Sequence, residues 1–134
     1  MTAEKLCELA KEAMMRAYAP YSGFKVGAAL LCKDGTVYQG CNIENAAYGP
    51  TNCAERTAIF KAVYDGQREF SAIAVCGGKD GVITGSLPPC GVCRQVMREF
   101  CKDDFIIYMM NPDGYEAVTL PQLLPYSFSN ADMH

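Results

Sequence analysis

The sequence predicts an α/β fold, a three-layer α/β/α sandwich around a central mixed five-stranded sheet, and three observations carry that prediction. Helical and strand-forming stretches alternate along the chain as helix, hairpin, helix, strand, helix, strand, strand, short helix. "FSAIAVCGG" is apolar without alternation, the pattern of a strand covered on both faces, and "DFIIYMMN" reads as another buried strand. Helices lying between central strands require crossover connections, which implies parallel pairing beside an antiparallel hairpin and helices on both faces of the sheet.

The first helix is marked by Leu6, Leu9, Ala10, Ala13, Met14 and Ala17 at helical spacing, with Thr2 able to cap its start and Pro20 expected to stop it. "FKVGAALLCKDGTVYQGC" is a strand, an Asp34-Gly35 turn and a second strand. A polar, turn-rich loop follows, "NIENAAYGPTN". The second helix runs from Cys53 to about Tyr64, with Ala54, Ala58, Ile59, Ala62 and Val63 on one face. "KDGVITGSLPP" is a loop, and "CGVCRQVMREFC" is a third helix with Val92, Val96 and Phe100 aligned. A turn and short fifth strand come from "PDGYEAVT", one helical turn from "LPQLLP", and "YSFSNADMH" is a tail.

The chain has 134 residues, a one-domain length, so residues 1–134 are expected to form a single domain. Half of the residues are hydrophobic and a fifth are charged, enough for a core and too polar for a membrane protein. A net charge of -3 argues against a nucleic-acid polymer as ligand, because phosphate binding wants a basic surface. No stretch approaches the roughly 20 apolar residues that span a bilayer. The N-terminus is amphipathic and lacks the apolar run of a signal peptide, which places the protein in the cytoplasm, where thiols stay reduced.

Eight cysteines are many for that compartment. Cys7, Cys32, Cys76 and Cys101 lie inside periodic or apolar segments and are expected to be small buried hydrophobes. Cys53, Cys90 and Cys93 sit beside Pro or Gly at element boundaries and fit that description poorly. Cys90 and Cys93 are three apart at the opening of a helix, so both sulfurs can reach one point. Such a pair is compatible with a redox couple, with half of a zinc knuckle or with chance. The redox reading is weakened because the motif does not follow the first strand of a thioredoxin-like pattern.

In the zinc reading Cys53 supplies the third ligand. Three protein ligands leave a fourth position for water, which is the catalytic arrangement, whereas four make a structural site. His134, the single histidine and the last residue, reads as a solvated tail. Residues two apart on an ideal helix point about 200° from each other. Cys53 and Glu55 therefore converge only if Cys53 lies at the helix end, where its backbone need not be helical. A helix N-terminus also favours the thiolate. Glu55 would then reach the zinc-bound water. Taken alone, Glu55 is equally a first-turn acid that compensates the helix dipole.

"CAE" followed by "PCGVC" resembles the zinc-dependent cytidine deaminases. The resemblance extends from "YAPYSGFKVGAALL" through "GCNIENAAYGPTNCAERTAIFKAV" to "PCGVCRQV", and is specific to the small three-cysteine nucleoside deaminases that form homotetramers. It implies one Zn²⁺ per subunit held by Cys53, Cys90 and Cys93, with Glu55 as proton shuttle. It implies that Phe24, Asn42 and Glu44 surround and hydrogen-bond the nucleoside sugar, and that Ala54 lies in the substrate site. Asn and Glu together supply the donors and acceptors a hydroxyl-bearing neutral substrate needs. Phe128 matches an aromatic that stacks on the base from a neighbouring subunit, and Ala46 and Tyr48 fall in a segment that also contacts a neighbour's site.

The reaction implied is hydrolytic deamination of cytidine or deoxycytidine to the uracil nucleoside and ammonia, a step of pyrimidine salvage. Three thiolates give the zinc centre a formal charge of -1 and make its water a weaker acid. Arg56, in "CAER", is expected to offset that charge by donating to a ligand sulfur. Deamination of a modified nucleoside such as a nucleoside antibiotic, and a non-enzymatic structural zinc module, are the competing readings. The module would need a fourth ligand and no Glu55.

Overall fold

The computed structural model describes residues 1–133, so the expectation for His134 lies outside the described residues. Helix α1 spans Ala3–Met14, and the Thr2 hydroxyl caps it by accepting from Lys5 N at 3.1 Å. It ends well before Pro20, which is a correction: the chain leaves the helix after Met14 because Tyr18 is needed elsewhere. Tyr18 N donates to Asn42 O at 3.0 Å and Tyr18 O accepts from Glu44 N at 2.9 Å, a short parallel bridge to Ile43.

Strands β1 (Phe24–Cys32) and β2 (Val37–Cys41) form the expected hairpin. Gly35 takes φ +92° in its turn, a left-handed value that glycine reaches without a Cβ clash. Helix α2 (Ala54–Tyr64) leads to β3 (Phe70–Lys79), helix α3 (Gly91–Phe100) to β4 (Ile106–Asn111), and β5 (Gly114–Thr119) closes the sheet before the single turn α4 (Leu120–Leu123). The strand order is β2-β1-β3-β4-β5. Strand β1 pairs antiparallel with both β2 and β3, β3 and β4 are parallel, and β5 is antiparallel to β4. The sheet is therefore mixed and five-stranded, as expected, with α2 and α3 as the crossovers.

Strand alternation sends successive residues to opposite faces, and each face has its own core. Ala28, Leu30, Ile73, Val75 and Ile107 pack with Ala58 and Ile59 of α2 and Met97 of α3. Ala29, Ala74 and Cys76 pack with Leu6, Cys7, Ala10 and Met14 of α1. Cys7, Cys32, Cys76 and Cys101 are all buried, as expected. Two glycines allow the helices to lie this close. A Cβ on Gly27 would sit 2.1 Å from Ala10 O, and one on Gly40 would sit 2.5 Å from Ala54 O.

Helix α3 carries the aligned Val92, Val96 and Phe100 at graded depth. Val92 is exposed and Val96 and Phe100 are half-buried, whereas Cys93 and Met97 are fully buried. Adjacent residues lie about 100° apart around a helix, so the Cys93–Met97 row faces the core and the neighbouring row lies along its edge. Cys93 thereby points inward, and Val96 and Phe100 pack partly against the same core while Val92 stays exposed.

Candidate active site

Helices α2 and α3 follow β2 and β3, which run in the same direction because both are antiparallel to β1. Both helix N-termini therefore arise at the same end of the sheet, where open α/β sheets gather their sites. Cys53 and Cys90 are the N-cap residues, with extended backbones (ψ 155° and 166°) and sulfurs not spent on capping. Cys93 projects from the first turn of α3. The sulfurs of Cys53, Cys90 and Cys93 lie within 4.8 Å of one another, with Cys53 to Cys90 at 3.7 Å and Cys90 to Cys93 at 3.4 Å.

This donor set fits zinc. Zn–S bonds of about 2.3 Å at tetrahedral angles place sulfurs about 3.8 Å apart, close to the separations found. Among the described residues no other Cys, His, Asp or Glu joins the cluster, so these residues supply three ligands, one fewer than a tetrahedral site holds. Thiolate-rich tetrahedral sets favour zinc over harder cations.

The electrostatics around the sulfurs are uneven. Arg56 Nη2 donates to Cys53 Sγ at 3.2 Å, and Arg56 Nε is buried with no other partner. Cys53 is held down to about 5, first by its hydrogen bond with Cys93 and then, against burial, by Arg56. Cys93 is raised by that same contact and by burial. Glu55, on the first turn of α2, is only 4% exposed. Burial pushes its carboxyl up to about 7, partly offset by its own backbone N–H and reinforced by Cys53. A carboxyl poised near neutrality can take up and return a proton.

The loop after β2 is held against this centre. Ile43 and Asn52 exchange two backbone hydrogen bonds of 3.0 Å, which sets Asn42–Glu44 beside the lead-in to Cys53. Asn42 is buried, accepting from Val26 N at 2.9 Å and donating to Phe24 O at 2.8 Å, so Phe24 and Asn42 share one corner. Glu44 Oε1 accepts from Tyr21 N (3.0 Å) and Ser22 N (3.1 Å), while the Ser22 hydroxyl donates to Oε2. These donors, the Ser22 hydroxyl first, hold the Glu44 carboxyl below its ordinary range. Ala54, the first residue of α2, is fully buried between Cys53 and Glu55.

Ala46, Tyr48 and Phe128 are all exposed. Tyr48 is 77% exposed and Phe128 60% exposed, in a tail held by Gln95 Nε2 donating to Phe128 O at 2.8 Å. Arg94 was not anticipated: its Nε donates to Pro89 O and its Nη1 to Leu123 O, both at 2.7 Å, tying the Cys90 lead-in to the chain end. A cavity of about 650 Å³ lies at the other end of α3, lined by Arg98, Cys101, Lys102 and Ser129, and includes none of the cysteine ligands. The candidate chemistry is therefore at the helix N-termini and not in that cavity.

Residues 1–109 match the family model described as the cytidine and deoxycytidylate deaminase zinc-binding region. The chain is 53% identical to the cytidine deaminase of Sporosarcina psychrophila over 134 residues, 99% of this chain and 96% of that protein. It is 50% identical to the cytidine deaminase of Halalkalibacterium halodurans over 135 residues, covering 100% of this chain and 99% of the relative. Its fold superposes on the crystal structure of cytidine deaminase from Burkholderia pseudomallei with a TM-score of 0.88 at 50% identity, over 96% of this chain and 100% of the other. With the ligand geometry above, these likenesses show that the chain belongs to the cytidine and deoxycytidylate deaminase zinc-binding family.

Proposed function

We propose that this chain is a zinc-dependent hydrolase converting cytidine and deoxycytidine to uridine and deoxyuridine with release of ammonia, serving pyrimidine salvage in the cytoplasm. The observation that carries the proposal is Glu55, a buried acid two residues after Cys53 at the helix start where three thiols converge. Zinc held by Cys53, Cys90 and Cys93 would supply Lewis acidity that makes water a nucleophile near neutral pH. Glu55 takes the proton that the attacking water loses and places it on the pyrimidine N3, making C4 electrophilic. Oxygen adds at C4, Glu55 takes the second proton from the new C4 hydroxyl and passes it to the 4-amino nitrogen, and ammonia leaves as the C–N bond breaks and the C4 carbonyl forms.

The rest of the site binds and orients. Asn42 and Glu44 hold sugar hydroxyls, Phe24 walls the nucleoside, and Ala54 belongs to the substrate site. Arg56 draws negative charge off Cys53 through the hydrogen bond described above. The proposal includes a homotetramer, one zinc per subunit, in which Ala46, Tyr48 and Phe128 complete a neighbour's site. Their exposure in the single chain supports this, as does the shallow apolar patch where exposed Phe60 and Val92 adjoin half-buried Val96 and Phe100. Such a patch on a soluble domain marks a protein contact.

Whole-chain identity to proteins named cytidine deaminase favours plain nucleosides over the modified-nucleoside reading. The absence of a fourth ligand among the described residues, together with buried Glu55, disfavours a structural zinc module. The test is ultraviolet absorbance of cytidine with the zinc-loaded protein beside Glu55→Ala, with ammonia assayed in parallel. Conversion by the parent alone is the expected result. Equal conversion by Glu55→Ala would remove the shuttle, and no conversion of cytidine by zinc-loaded parent would overturn the proposal.

A further inference from the structure

We infer that Ser22 is a positioning residue for Glu44 and so sets how tightly the site grips a nucleoside by its sugar hydroxyl. The inference rests on the sugar role proposed for Glu44. Glu44 is half-buried on a loop, and a free glutamate there would sample many rotamers. It does not, because one two-residue segment engages both carboxylate oxygens. Tyr21 N and Ser22 N donate to Oε1, and Ser22 Oγ donates to Oε2. That fixes the carboxylate plane as well as its position.

The direction of the serine proton follows from its other bond. Ser22 Oγ accepts from Phe24 N at 3.0 Å, so its own hydrogen is free to point at Glu44. One hydroxyl thus links the start of β1, where Phe24 sits, to the carboxylate. The segment is itself pinned. Lys79 Nζ donates to Ser22 O at 2.6 Å, Gly23 N to Ala19 O at 3.0 Å, and Asp80 N to Gly23 O at 2.7 Å. Gly23 takes φ +70°, which lets the turn fold back under Glu44.

A carboxylate offers about four acceptor positions. Three are taken by this cradle, so one on Oε2 is left for a ligand hydroxyl. The arrangement reads a single donor at a single place. Without the Ser22 hydroxyl, Oε2 turns about its bond and the remaining position is no longer aimed.

The experiment is steady-state kinetics of zinc-loaded Ser22→Ala, Ser22→Thr and Glu44→Gln on cytidine and on 2′,3′-dideoxycytidine, which lacks the hydroxyls in question. Ser22 is exposed, so the alanine variant is expected to melt with the parent. Ser22→Ala should raise KM for cytidine about tenfold, the scale of one hydrogen bond to a charged group, with kcat and the KM for dideoxycytidine unmoved. Ser22→Thr should restore the cytidine KM. An equal rise in KM for both substrates, or no rise for cytidine while Glu44→Gln raises it, overturns the inference alone. An unmoved cytidine KM in Glu44→Gln overturns the sugar role of Glu44 and this inference with it.

Discussion

Gly40→Ala should damage catalysis more than it damages the fold, and the size of the effect can be worked from the packing. Gly40 lies on β2 directly beneath the first turns of α2. A Cβ there would meet Ala54 O at 2.5 Å, Ala58 N at 2.6 Å and Ala58 Cα at 3.1 Å. Ordinary carbon contacts begin near 3.5 Å, so the helix start must withdraw by about 1 Å. The atoms met are backbone, and no rotamer change relieves them. The turn that moves carries Cys53, Glu55 and Arg56, while Cys90 and Cys93 stay with α3. A misplacement of about 1 Å at a reacting site can cost about 10²-fold in rate, or about 2.7 kcal/mol of transition-state stabilisation. Overpacking itself costs about 1–3 kcal/mol of stability. Gly27→Ala is the control: its Cβ would lie 2.1 Å from Ala10 O and 2.3 Å from Met14 N, a harder clash that moves α1 on the opposite face. The assay is kcat/KM per folded, zinc-bearing subunit, with thermal melts of both variants. Gly40→Ala should lose about 100-fold in kcat/KM, and Gly27→Ala should lose more melting temperature but little kcat. Wild-type kcat/KM in Gly40→Ala, or equal losses of kcat in the two variants, would refute the reasoning.

Arg56→Ala should retain zinc, measured by metal analysis, and shift the pH–rate profile to alkaline pH, because the Cys53 sulfur loses its donor; an unmoved profile would exclude the role. Glu55 has a folded pKa raised to about 7 from 4.5, so its ionisation opposes folding above that range. In chelator-treated protein, Glu55→Gln should therefore be more stable than the parent at pH 8, by at most about 3 kcal/mol. That advantage should vanish as pH falls toward 4.5, followed by thermal melts across pH. Thiol titration of the native protein should find Cys41 alone reactive while zinc is bound, since Cys7, Cys32, Cys76 and Cys101 are buried. Chelation should add Cys53 and Cys90, which are half-buried and exposed, and a pattern unchanged by chelator would contradict their role as ligands.

What could be read from the chain depended on how local the cause was. Cys53 and Cys90 stood out because Pro and Gly beside a thiol mark a helix entry, and both are N-caps. Arg56 was legible as the residue three along from Cys53, a spacing that folds back on a helix face. Pro20 misled because a long-range bond, Tyr18 to Ile43, ends α1 before local chemistry would. The alignment of Val92, Val96 and Phe100 was legible but their depth was not, since spacing alone cannot say that Val96 and Phe100 would pack against the core and Val92 stay exposed. The Ser22–Glu44 contact spans 22 residues and joins two exposed turns, so no periodicity announces it. Gly40 is silent in the same way: its meaning lies in the helix above it, which only the folded chain brings near.

The position of the cysteines at two helix ends also resolves the charge problem posed by an all-thiolate centre. Three thiolates around a divalent ion leave a formal charge of -1, which weakens the acidity the reaction needs. Each helix N-terminus presents the equivalent of about half a positive charge, and the Cys53 and Cys90 N-caps bring two of them to one point. Arg56 adds a full charge at 3.2 Å from Cys53 Sγ. Together these exceed the excess negative charge, although solvent screening reduces each. The helix ends are set by the parallel strands and cannot be removed by one substitution, while Arg56 can. Arg56→Ala should therefore weaken the compensation without abolishing it, leaving a slower enzyme whose optimum has moved to higher pH and not an inactive one.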